Sequence, residues 1–185
     1  MADKRLKLVS NAPIYKDVRS LLNEILEVTP EFPRQYKYTI GGEMQKLASM
    51  KTKLVFNKLI PFNGFLAMTL WPFIFVREEL AKAYSVIVNN HEHIHAEQQK
   101  ELLVVGAALA LIGFVFGLGW WALLFVPIFL WWYFLEWLIR IPIEGSSRQA
   151  YRNISFEREA YANEKDLAYL GRRRHFIWLT YMFHN

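Results

Sequence analysis

The chain has 185 residues, 54% of them hydrophobic, and a formal charge of +5. That length suits one domain with a small appendage, and the apolar content excludes a largely disordered chain. With no cysteine there is no disulfide scaffold, thiolate metal site or Cys nucleophile, so any metal must be held by His, Asp or Glu.

Residues 1–12 are polar and read as flexible, and no signal peptide is expected in MADKRLKLVS. Ile14 to Val28 carries apolar residues at helical spacing and is stopped by Thr29-Pro30 and Phe32-Pro33. Gln35 to Met50 reads as a second helix, weakened by Gly41-Gly42. Residues 1–52 thus form an amphipathic helical segment, and residues 53–185 a second unit. Lys53 to Arg77 is rich in aromatic and branched residues and broken by Pro61, Asn63-Gly64 and Pro72. Two or three short strands are expected there, with a turn near Asn63-Gly64. The next helix begins within 79–90 and runs through NNHEHIHAEQQKELL into an apolar stretch.

That stretch, Leu102 to Ile139, has a single charge, Glu136, while Lys and Arg lie on both sides of it. It is too long for one membrane span, and Gly117-Leu118-Gly119 offers a turn. The halves, 102–116 and 120–139, reach roughly 22 and 30 Å as helices. The pattern predicts a two-helix transmembrane hairpin with Trp120 and Trp121 at its tip. Basic flanks and an uncharged tip place both termini in the cytoplasm. The competing reading is a buried hairpin in a soluble oligomer. Glu136 pairs with Arg140 at i+4. Pro142 and Gly145 break the chain. Ser155 then caps a helix over FEREAYANEKDLAYL that Gly171 ends. Arg172-Arg173-Arg174 and the following HFIWLTYMF read as a membrane-surface anchor, with His175 and His184 as interfacial residues.

His91-Glu92-His93-Ile94-His95 contains H-E-x-x-H. Residues i and i+4 share a helix face, so His91 and His95 can hold one ion, and Glu92 can serve as general base. His93 lies on the far side of the helix and is expected to face solvent or the membrane surface. A catalytic Zn2+ site needs a third protein ligand. Glu157 is the first candidate, in the first turn of its helix where the macrodipole favours a carboxylate, and Glu159 the second. The two diverge on a helix and cannot both face the ion.

H-E-x-x-H followed, past an apolar hairpin, by Glu157-x-x-Ala160 resembles the gluzincin type of zinc metallopeptidase. The resemblance implies Glu157 as third ligand and an edge strand beside the metal helix that receives a peptide by β-addition. Tyr161 stands where those enzymes often carry Asp. Over about residues 54–180 the chain also looks like small, uncharacterised bacterial membrane proteins, many from Bacteroidetes. This implies the bacterial inner membrane. Residues 10–50 are similar to the first two helices of Avd-like four-helix bundles, which accompany reverse transcriptases, and cover half of such a bundle. Such a front segment implies a reverse transcriptase or RNA partner, the sole route by which nucleic acid is expected.

The expected fold is mainly helical and membrane-borne, with a small β element. The expected function is a membrane-bound zinc peptidase acting on a membrane-proximal polypeptide. The alternatives are a membrane-anchored scaffold or Avd-like accessory protein, and a membrane protein that binds metal without turnover.

Overall fold

The computed structural model describes residues 51–62 and 64–183. The expected N-terminal helix pair, with its Avd-like stretch, and His184 lie outside the described residues. The rest is mainly helical with one small sheet.

The sheet has three strands, β1 (Lys53–Asn57), β2 (Ala67–Leu70) and β3 (Phe73–Arg77), in the order β1-β3-β2. β2 and β3 are antiparallel, and β1 runs parallel to β3. The tight reversal falls at Trp71-Pro72. The turn expected near Asn63-Gly64 lies in the longer β1–β2 connection, where the Phe65 N–H bonds the Phe62 carbonyl at 3.2 Å and Gly64 has a positive φ. Alternation along β3 puts Ile74 and Val76 on the buried face. Thr69 pairs with Ile74 and lies on that same face, against the long helix. β2 is left as a sheet edge among the described residues.

A 3-10 turn, Glu78–Ala83, leads to α1, Val86–Val115. The Ser85 side chain accepts from the Val88 N–H and starts the helix. No proline interrupts the next 30 residues, so the metal motif and the first apolar half share one continuous helix. Gly117 and Gly119, both at positive φ, let the chain reverse where the turn is expected. The returning half is not the single helix expected over 120–139. Gly119–Phe125 is a 3-10 stretch and α2 spans Ile128–Glu144, with a 60° bend between them. Pro127 stands at the break, where it lacks the N–H a continuous helix would use. Pro142 does not end α2; it sits in the last turn, and Gly145 closes the helix in the left-handed conformation.

The returning segment packs close because α1 offers small residues. A Cβ on Gly106 would lie 2.3 Å from the Phe125 carbonyl oxygen, and one on Gly113 would lie 2.9 Å from Leu118. This is the small-residue contact by which apolar helices approach one another. α1 is long and apolar enough to cross a membrane, and the bent pair passes the same test only as a unit.

Three short helices follow: α3 (Ser147–Arg152), α4 (Ser155–Asn163) and α5 (Tyr169–Arg172). α4 is shorter than the expected helix, and Gly171 lies inside α5 rather than ending α4. Nor does Ser155 cap α4. Glu136 of α2 does, accepting from the Ser155 N–H at 2.8 Å and from its hydroxyl at 2.6 Å. Glu136 also takes the expected pair with Arg140. Phe156, Phe129, Ile154, Leu102 and Trp178 form the aromatic core that seats α4 on the two long helices. Full burial of a side chain the size of Phe156 contributes about 1.5–3 kcal/mol.

The basic run does not form one exposed stripe. Arg173 turns inward between Glu101 and Glu159, and Arg172 pairs with Asp166. Trp178 likewise belongs to the core rather than to a surface anchor. His175 faces Glu101 at 3.2 Å.

Candidate metal centre

α1 turns His91, Glu92 and His95 inward, and all three are buried. α4 crosses beneath them and presents Glu157, which is 2% exposed. The two imidazole Nε2 atoms are 3.1 Å apart. His95 Nε2 lies 3.3 Å from Glu157 Oε1, and His91 Nε2 lies 3.5 Å from Glu157 Oε2. Ligands about 2.0–2.1 Å from a tetrahedral ion are themselves about 3.3 Å apart, so these spacings suit one such ion.

Neighbours fix which atoms face the centre. The Gln98 amide donates to the Phe156 carbonyl at 3.1 Å and to Glu159 Oε2 at 3.0 Å. Its oxygen, 2.8 Å from His95 Nδ1, must therefore accept from that ring. Glu164 Oε2, 2.9 Å from His91 Nδ1, accepts in the same way. With a proton on each Nδ1, both Nε2 atoms present lone pairs. They meet a carboxylate whose Oε2 is buried without a hydrogen-bond partner. Acceptors converging on one point with no donor among them repel unless a cation or a proton lies between them. Burial alone would push the Glu157 carboxyl up. Without an ion, a proton on the facing His95 outweighs burial and holds it well below the usual carboxylate range. Glu157 in turn pushes His95, which burial would lower, up to about 9.

Other groups complete the setting. The Tyr133 hydroxyl donates to Glu157 Oε1 at 2.7 Å. Tyr161 stands edge-on to the His91 ring, with centroids 4.7 Å apart. The Tyr151 hydroxyl is pushed up, by burial first and by Glu157 second, so it remains a protonated donor. Glu92 is held on the β2 side, with Oε2 2.7 Å from the Thr69 hydroxyl. The Asn90 amide reaches the carbonyls of Glu164 and Asp166, at 2.9 and 3.1 Å, and ties down the end of α4.

The structure therefore brings His91, His95 and Glu157 together as one buried group, with Glu92 beside it. Glu159, the second candidate ligand, is not part of that group. It is turned to Gln98, Tyr169 and Arg173. His93 does not face solvent: its Nε2 is 2.9 Å from the Thr52 hydroxyl, beside the start of β1. Asn90, Gln98, Tyr133 and Glu164 also serve the site and lie outside the H-E-x-x-H motif. Asn90 and Gln98 flank the motif on the same helix, but nothing in their spacing marks them as partners. Tyr133 and Glu164 carry no local signal either.

No protein-family model, curated protein or solved structure matches the chain. None of the three resemblances noted in the sequence is carried by such a match.

Two cavities meet at the centre. One, of about 630 Å³, is lined by His91, Glu92, Arg148, Arg152 and Glu164. The other, of about 560 Å³, is lined by Glu92, His95 and Glu157 on one side and by Phe129, Tyr133 and Phe134 on the other. Glu92, Tyr151 and Ala67 belong to both. Each has the volume of a ligand pocket.

Proposed function

We propose that the chain is a membrane-bound, zinc-dependent peptidase. The observation that carries this reading is the convergence of two imidazole lone pairs and an unpartnered buried carboxylate oxygen at tetrahedral spacing. His91, His95 and Glu157 would hold the ion. Bound Zn2+ supplies a Lewis acid and lowers the pKa of its water.

The chain's own groups do the rest. Glu92 lies on the wall common to both cavities, where an attacking water would lie, and takes that water's proton. The Thr69 hydroxyl fixes the Glu92 carboxylate for this transfer. β2 supplies the docking edge. Arg77 N–H bonds the Leu66 carbonyl, so by antiparallel alternation Ala67 directs its backbone groups away from β3, toward the cavities. An extended polypeptide adding there would run past Glu92 and the metal group.

The membrane part of the proposal rests on the hairpin. Phe116, Trp120 and Trp121 at its tip are 77%, 80% and 75% exposed, and large apolar side chains continue along the outer face of α2. Such a surface fits lipid. His95 precedes Leu102 by about 10 Å along the helix, so the centre would sit just outside the bilayer, on the cytoplasmic side of a bacterial inner membrane.

The test is Glu92→Gln in detergent-purified full-length protein. The variant should keep about one zinc per chain by elemental analysis and lose hydrolysis of casein and of fluorogenic peptides by at least about a hundredfold. Equal hydrolysis by variant and wild type would overturn the mechanism. Zinc in both proteins with turnover in neither would leave a metal-binding membrane protein that is not an enzyme.

A further inference from the structure

The two cavities differ in chemistry. The compartment on the His95 and Glu157 side is walled by Phe62, Phe65, Phe129, Leu130 and Phe134. The compartment on the His91 side is walled by α3, which turns Arg148, Tyr151 and Arg152 toward it. Arg148 and Arg152 are four residues apart on α3 and so share a face. The Trp137 indole N–H donates to the Ser147 carbonyl at 3.1 Å and fixes the start of that helix against α2.

The acidic groups on this wall are already engaged. Glu164 accepts from His91, and Glu92 is held by Thr69. Arg152 lies over the Tyr161 ring, with its guanidinium carbon 5.0 Å from the ring centroid. Among the described residues neither Arg148 nor Arg152 forms an ion pair. Both residues are exposed, and two guanidinium groups at the lip of a cavity with their donors unspent suit a planar anion.

We propose that Arg148 and Arg152 form a carboxylate-binding subsite at the polar end of the cleft. The ligand class is a peptide carrying a carboxylate on the α3 side of the centre and a bulky apolar side chain on the α2 side. The carboxylate is either the peptide's own C-terminus or an acidic side chain. The inference rests on the peptidase reading for its orientation across the metal group, but its test reads binding rather than turnover.

The experiment uses full-length, zinc-loaded Glu92→Gln protein in detergent and fluorescence anisotropy of three labelled peptides. All are alanine hexapeptides with a central Phe-Leu pair. One ends in a free carboxylate, one in an amide, and one in an amide with Asp as its last residue. At least one carboxylate peptide should bind about tenfold more tightly than the plain amide. Which one does so tells the α-carboxylate from the side-chain source. The advantage should vanish in Arg148→Gln/Arg152→Gln and survive in part in Arg148→Lys/Arg152→Lys, which keeps the charge but loses the fork.

Equal binding of all three peptides, no binding of any, or a preference unchanged in the Gln pair would overturn the subsite. So would loss of binding to phosphatidylglycerol vesicles in the Gln pair without any peptide preference, which would assign the arginines to lipid. Carboxylate preference without wild-type turnover would sink the peptidase reading and leave the subsite standing. Turnover of acid and amide at equal rates would do the reverse.

Discussion

Gln98 settles which nitrogen of His95 faces the centre. Its amide is committed to two acceptors, so its oxygen can only accept from Nδ1. Glu164 does the same for His91. Outer groups of this kind hold ring and tautomer, and losing one typically weakens a metal site about 10–100-fold. Gln98→Leu and Glu164→Ala should each lower zinc affinity by that order in chelator competition, and His91→Ala/His95→Ala should abolish binding. Unchanged affinity in both single variants would mean that the rings are held by something else. Both imidazoles must be neutral to bind, and against the lowering effect of burial Glu157 pushes His95 up to about 9. Affinity should therefore fall as pH drops below about 9, with proton release on binding measurable by calorimetry in two buffers. At this scale His91, Glu92 and His95 were legible in the sequence because i and i+4 is a local relation. Gln98 is equally local, but nothing in its spacing sets it apart from an ordinary helix position. Glu164 becomes a partner of His91 only through the packing of α4 on α1, which no local pattern encodes.

α4 is held at both ends by side chains from other helices. Glu136 caps its start and Asn90 takes the carbonyls at its finish, so the helix that carries Glu157 is set in register with the helix that carries the histidines. Glu136→Ala would take the carboxylate from part-buried Arg140 and leave the buried first turn of α4 uncapped, a loss of about 3 kcal/mol. The denaturation midpoint in detergent should fall accordingly, and zinc affinity with it. A midpoint within error of wild type would show that the cap is dispensable. Arg173→Ala should be as severe, about 3–5 kcal/mol, because it strands Glu101 and Glu159 in the interior. Thermal unfolding checks this against Arg172→Ala, whose exposed pair should contribute under about 1 kcal/mol. The sequence placed Glu136 with Arg140 because that pair lies within one helix. It could not show that Glu136 also reaches Ser155 across the fold, nor that one arginine of a basic triplet turns inward. The break at Pro127 was legible from the proline itself, yet the uniform hydropathy of the segment argued for a single helix.

For the whole molecule, charge along α1 would set the depth of the candidate metal centre on the proposed membrane reading. Glu101 is the last charged residue before the apolar run, and Arg173 holds it against the C-terminal segment. From Leu102 to Val115 the helix rises about 21 Å, short of the roughly 30 Å of a hydrocarbon core. The exposed tip from Phe116 to Trp121 extends it. If the proposed hairpin spans the membrane, it puts Trp120 at the far interface and keeps Arg174 on the side of the candidate metal group. The chain has no cysteine, so single introduced thiols report topology cleanly. Trp120→Cys should react with a membrane-impermeant maleimide in intact cells, and Arg174→Cys only after lysis. Both positions are exposed in the fold, so neither is shielded by the protein itself. Zinc should follow the same sidedness, with an impermeant chelator removing it from inverted vesicles and not from intact cells. Labelling of both thiols from outside would refute the hairpin. Recovery of the protein in the soluble fraction would favour an oligomer that buries the same apolar faces against copies of itself.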